Sequence, residues 1–151
     1  MKKTEKVLAL LSLISIILKI FSIEGAIFLS ALFFGILAFF YLFLNFILLN
    51  AIPFKNIFKK KAYTNISLKR IVWAIFVGMI FFIAVMAILF GLNKWGGGSF
   101  LLIIGSLLLF LVAVISLIWY IFYHSYYNFM ILMRSTILIV VCLTLIVVKF
   151  F

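Results

Sequence analysis

Residues 53–70, PFKNIFKKKAYTNISLKR, decide how this chain is threaded. They hold its one proline, Pro53, and six of its thirteen basic residues: Lys55, Lys59, Lys60, Lys61, Lys69 and Arg70. On either side the sequence is almost unbroken hydrocarbon. A basic polar loop between two long apolar blocks is the pattern of a chain that leaves the bilayer, marks its inner face with positive charge, and re-enters. Within the loop, Phe54, Ile57 and Phe58 fall at i, i+3 and i+4 among the lysines. That spacing suits a short amphipathic segment in the headgroup plane, with Lys55, Lys59, Lys60 and Lys61 on anionic lipid headgroups; a solvated basic loop is the plainer alternative. Asn65-Ile66-Ser67 matches a glycosylation sequon by chance in a cytoplasmic loop. Ser67 suits the N-cap of the next helix.

Composition confines the fold class. The chain has 151 residues, 70% hydrophobic and only 10% charged, with a mean hydropathy of +1.52. Soluble domains are near half apolar and a quarter charged. The expected fold is therefore an all-α, polytopic membrane bundle in a single domain spanning 1–151. The net charge is +11, from thirteen Lys and Arg against Glu5 and Glu24. The bases cluster at the ends of apolar runs, which reads as topology rather than nucleic-acid binding.

Outward from the loop, the apolar blocks divide into five spans at about 4–22, 26–50, 68–92, 99–123 and 135–151. The first, with its basic start, resembles a signal peptide, but no A-x-A-like site follows it, so an uncleaved helix is expected. In that helix Ala9, Ser12, Ser15, Lys19 and Ser22 share one face. Lys19 is its one charge well inside the run. Snorkelling to the interface, helped by Glu24, is the plain reading; a cation in a polar pocket or pathway is the functional one. In the second span Ala26-xxx-Ser30 and Ala31-xxx-Gly35 fit small-residue helix packing, as do Ala74-xxx-Gly78 and Ala87-xxx-Gly91 in the third. In the fourth, Ser99, Ser106, Ala113 and Ser116 form a small-residue seam. Tyr123 to Asn128 reads as a polar aromatic belt at the membrane boundary, with His124 interfacial and Arg134 opening the short last span.

An odd number of spans puts the termini on opposite sides. With the N-terminus inside, the inner face carries Lys2, Lys3, Lys6, Lys55, Lys59, Lys60, Lys61, Lys69, Arg70 and Arg134, against Lys19, Lys94 and Lys149 outside. The expectation is a multi-pass protein of the cytoplasmic (inner) membrane, with the 53–67 loop and N-terminus cytoplasmic and the C-terminus outside.

Residues 19–29 (KIFSIEGAIFL) and 91–101 (GLNKWGGGSFL) share a plan at an offset of 72 positions, with Gly25/Gly97, Phe28/Phe100 and Leu29/Leu101 identical. Each copy joins two spans, so the hairpins would run parallel about an axis along the membrane normal. Asn93 to Gly98 is the second tight turn, with Trp95 at the interface. These hairpins resemble the N-terminal membrane hairpin of GldL, the gliding-motility and type 9 secretion family of Bacteroidota, whose pattern is close to Lys-x-x-x-Trp-Pro-Gly-Gly between two spans. Lys19 and Gly25 fit it in the first copy; Trp95, Gly97 and Gly98 fit it in the second. The resemblance covers about a third of the chain and implies a shared hairpin architecture. The motor glutamate of that family aligns near Leu37 and Leu109 here, so the likeness does not extend to proton-driven work.

No enzyme is expected. General acid–base chemistry needs placed titratable groups, and the intramembrane inventory is Lys19 and Cys142, with His124 and Arg134 at a boundary. One histidine and one cysteine provide neither a disulfide nor a two-His or Cys-based metal site, and no cofactor is implied. The function expected is a structural or assembly subunit of a larger membrane complex, associating with other membrane proteins or with itself. A small oligomeric transporter or channel around the Lys19 stripe is the alternative.

Overall fold

A computed structural model describes residues 2–50, 52–57, 59, 63 and 66–150. Phe58, Lys60, Lys61 and Asn65, which enter the readings of the central loop, lie outside the described residues. Five helices follow in order: α1 Lys2–Ile20, α2 Ala26–Leu49, α3 Leu68–Leu92, α4 Gly98–Tyr123 and α5 Tyr126–Phe150, with a 3-10 turn at Phe54–Asn56 before α3. No strand occurs among the described residues. Four helices, α2 to α5, are long and apolar enough to cross a membrane. The protein is a helical membrane bundle. α1 is charged at both ends, by Lys3, Glu5 and Lys6 and by Lys19.

Sequential helices are antiparallel neighbours, joined by short turns except for the central loop of residues 50–67 between α2 and α3. α3 sits centrally, packed on α2, α4 and α5, while α1 lies against α2. Lipid tails are as apolar as leucine, so the helices are held by close packing and interhelical hydrogen bonds rather than by the hydrophobic effect. The faces toward lipid confirm this division: Leu107, Phe110 and Leu111 of α4 are more than half exposed, while Leu102, Leu109 and Val112 are buried.

Small residues set the contacts. A Cβ placed on Gly78 would stand 2.7 Å from the Tyr41 carbonyl oxygen and 2.9 Å from Asn45 Cβ, so α2 and α3 touch there backbone to backbone. Ala74, one turn earlier, is fully buried. At Gly105 the same construction lies 3.4 Å from both Ala84 Cα and Ala87 Cβ, which brings α3 against α4. The α4 seam runs through Gly98, Leu102, Gly105, Leu109, Val112 and Ser116. Of the expected line, Ala113 and Ser116 are buried on it, whereas Ser99 and Ser106 are only partly buried, and Ser106 turns its hydroxyl back to Ile103 O at 2.8 Å. Gly35 also departs from expectation. Nothing lies within 4 Å of a Cβ built on it, because Phe34, Leu37 and Ala38 point inward instead.

The two hairpin turns superimpose in their hydrogen bonds. Ser22 N–H donates to Lys19 O, Ile23 to Leu18, Ala26 to Ile23 and Leu29 to Gly25; at the offset of the sequence repeat, Lys94 donates to Gly91, Trp95 to Phe90, Gly98 to Trp95 and Leu101 to Gly97. Backbone dihedrals follow: φ is 53° at Ser22 and 54° at Lys94, 82° at Gly25 and 77° at Gly97. Both glycines sit in the left-handed region as N-caps of α2 and α4, where a side chain would be strained. The α1–α2 and α3–α4 hairpins are thus two copies of one unit, with their turns at the same end of the bundle and α5 added beside α4.

The last connection corrects the expected boundary of the fifth span. α4 ends at Tyr123, His124 takes a left-handed conformation (φ 44°) as its C-cap, and α5 starts at Tyr126 rather than Ser135. The polar aromatics read as a belt are divided between two helices: Tyr127 and Asn128 are 6% and 4% exposed inside the bundle. Arg134 consequently lies two turns inside α5 and does not open it. Ser67 caps α3 as expected, accepting from Arg70 N–H at 3.4 Å.

Candidate functional site

With so little polarity in the chain, each polar side chain within the helices is informative, because an unmet donor or acceptor costs several kcal/mol in hydrocarbon. Three of the ties they make join different helices within the bundle.

The first joins α1, α2 and α5. Glu5, a turn into α1, faces Arg134, and the two form a forked pair: Arg134 Nε donates to Glu5 Oε1 at 2.5 Å and Nη2 to Oε2 at 2.7 Å. Tyr41 of α2 donates its hydroxyl to the same Oε1 at 3.1 Å. Arg134 also reaches Met130 O in its own helix, at 3.4 Å. Tyr41 and Glu5 are 6% and 8% exposed. Bidentate geometry is the strong form of such a bond, and it crosses 129 positions of sequence. Sequence reading placed Glu5 in the basic start of the first span and Arg134 at a helix end; the signal for the pair was only that Glu5 is an acid among lysines.

The second cluster lies at the opposite end, between the two turns. Lys19 does not meet Glu24, which is exposed at the turn. Its ammonium instead donates to Leu92 O, the last carbonyl of α3, and to Asn93 Oδ1 at 2.6 Å. Ser30 of α2 exchanges hydrogen bonds with Asn93 at 3.3 Å. A cation on the C-terminal carbonyls of a neighbouring helix complements that helix's dipole. Lys19 therefore clamps one hairpin to the other. Trp95, two residues beyond Asn93, packs edge-on against Phe90, centroids 5.1 Å apart, and is 40% exposed. Gly97 serves the turn.

The third is Asn45 of α2, whose Nδ2 donates to Ala74 O of α3 at 2.8 Å across the Gly78 contact. Its Oδ1 is buried without a donor, as is Ser116 Oγ on the α4 seam.

The serine stripe of α1 is spent locally. Ser12 Oγ donates to Leu8 O at 2.9 Å and Ser15 Oγ to Ser12 O at 2.7 Å, both residues buried. They occupy the repeat positions of Ala84 and Ala87 in α3, which are also buried. Small size at a helix contact accounts for all four. His124 lies apart from every cluster, its ring edge-on to Tyr120 at 6.0 Å. Cys142 is a free, buried thiol. Leu37 and Leu109 are 5% and 0% exposed apolar side chains. Among the described residues, no group of three or more His, Cys, Asp and Glu is placed to hold a metal ion.

The geometry accordingly offers ties between helices: carboxylate to guanidinium at one end, ammonium to carbonyls at the other. Comparison of the chain with family models, with curated proteins and with solved structures returns no match.

Proposed function

We propose that the protein is a structural or assembly subunit of a larger membrane complex, without catalysis of its own. One observation carries the reading. Its charged groups and the Asn45 amide N–H are used to tie helix to helix: Glu5 to Arg134 and Tyr41, Lys19 to Leu92 O and Asn93 Oδ1, Asn45 Nδ2 to Ala74 O. A transport pathway along the Lys19 stripe is less well supported, since Ser12 and Ser15 return their hydroxyls to their own backbone. The exterior is broad and apolar, so lipid and neighbouring membrane helices are the surfaces it meets.

In this proposal α1 is the fifth span. Nineteen residues at 1.5 Å each reach roughly 28 Å, close to the hydrocarbon thickness, and Val7, Leu10, Leu13 and Ile17 are more than half exposed along one face. The membrane is the cytoplasmic one, with the N-terminus and central loop inside. Moving Arg134 into a helix removes one charge from the inner count, and the excess persists through Lys2, Lys3, Lys6, the four lysines of residues 55–61, Lys69 and Arg70. The GldL resemblance enters as a hairpin plan carried twice. The test is purification from its native membrane in lipid nanodiscs. A stoichiometric membrane partner supports the proposal; a homo-oligomer that passes ions or solutes in vesicles contradicts it.

A further inference from the structure

An open groove of about 930 Å³ runs along the bundle between the first turns of α3, the last turns of α4 and the start of α5. Its walls are apolar and aromatic: Val72, Trp73 and Phe76 from α3, Ile115 and Trp119 from α4. Phe76 and Trp119 remain 50% and 54% exposed, so the groove opens sideways to lipid. Lys69 and Arg70 stand at its polar end with Ser67. The helix of the floor holds Arg70 in place. Its guanidinium lies 4.3 Å over the Tyr127 ring, and Tyr127 returns its hydroxyl to Arg70 O at 3.3 Å. Stacking on the ring leaves the edge N–H groups of the guanidinium free for an anion.

Among the described residues no acidic side chain neutralises this pair. The chain's two acids are Glu5 and Glu24; Glu5 is held by Arg134, and Glu24 lies in the α1–α2 turn at the other end of the bundle. A two-charge rim over an apolar, laterally open slot of ligand-pocket size is complementary to an anionic amphiphile and to neither of its halves alone. We propose that this groove is a binding site for an anionic glycerophospholipid of the adjacent leaflet, its phosphate on Arg70 and Lys69 and an acyl chain along Trp73, Phe76 and Trp119. The site is separate from the loop lysines and independent of what larger assembly the protein joins.

The probes are phosphatidylglycerol and phosphatidylcholine, titrated into delipidated full-length protein in neutral detergent and read by native mass spectrometry. The wild type is expected to retain phosphatidylglycerol about tenfold more tightly than phosphatidylcholine, and a Lys69→Gln/Arg70→Gln variant to lose that preference while Lys55→Gln/Lys59→Gln keeps it. Equal retention of the two lipids by the wild type, or an unchanged preference in the groove variant, overturns the proposal. So does displacement by millimolar inorganic phosphate, which would make the site an anion site without lipid. A second measurement needs no change in the groove. In a Trp95→Phe protein, phosphatidylglycerol brominated on its acyl chains should quench Trp73 and Trp119 more than brominated phosphatidylcholine does, and equal quenching contradicts the site.

Discussion

Arg134 and Glu5 show how much two charges weigh in a chain with almost no polarity. Removing one partner of a buried pair leaves the other stranded, at a typical cost of about 3–5 kcal/mol. Arg134→Met should therefore lower the thermal stability of the purified protein steeply. Arg134→Met combined with Glu5→Met should recover most of the loss, because neither charge is then left unpaired. Additive effects of the two single changes in the same melts would mean that the pair is not coupled. Lys19 requires a different expectation from the one its sequence suggested. Read alone, it is a snorkelling lysine near Glu24, replaceable at little cost. Bonded to Leu92 O and Asn93 Oδ1, it ties hairpin to hairpin, and Lys19→Met should cost about 1–2 kcal/mol after allowance for its partial exposure. A melting temperature unchanged from wild type would restore the snorkelling reading. Neither partnership was legible beforehand: sequence gives a residue's type and its place in a helix, while both pairings depend on how distant helices are packed.

At the scale of the helix, local chemistry was easier to read. The Ser67 cap, the glycine turns at Gly25 and Gly97, and the close approach at Gly78 follow from residues whose size or φ preference leaves few alternatives. Where several small residues compete, spacing alone did not select the contact. Gly35 and Ser106 fit the pattern and lie off it, while Gly105 was passed over although it forms the centre of the α4 seam. The start of α5 was misplaced because tyrosine and asparagine are at home both at an interface and in a tightly packed first turn. A direct comparison follows. Gly78→Ala forces a methyl to within 2.7 Å of the Tyr41 carbonyl and should destabilise by about 1–3 kcal/mol, the usual cost of overpacking. Gly35→Ala meets open space and should be neutral or slightly stabilising, since alanine is the better helix former. Circular-dichroism melts of the two in one detergent would check this; a Gly35→Ala loss as large as that of Gly78→Ala would contradict the packing described.

Taken whole, the molecule is two copies of a hairpin with turns at one end, a fifth helix beside them, and polar ties at both ends. The repeat was visible as a handful of identities, and it became firm only when the turns proved to share their hydrogen bonds and left-handed residues. Charge supplies the remaining coordinate, since Lys55, Lys59, Lys69 and Arg70 lie at the end opposite the turns. The measurement that tests this arrangement most directly is cysteine accessibility in intact cells, in a Cys142→Ser background, with single cysteines at Glu24, Gly96 and Lys59. A membrane-impermeant maleimide should label Glu24→Cys and Gly96→Cys alike and leave Lys59→Cys unlabelled until the cells are opened. Labelling of Lys59→Cys in intact cells would reverse the orientation, and opposite behaviour of the two turn positions would contradict the fold itself.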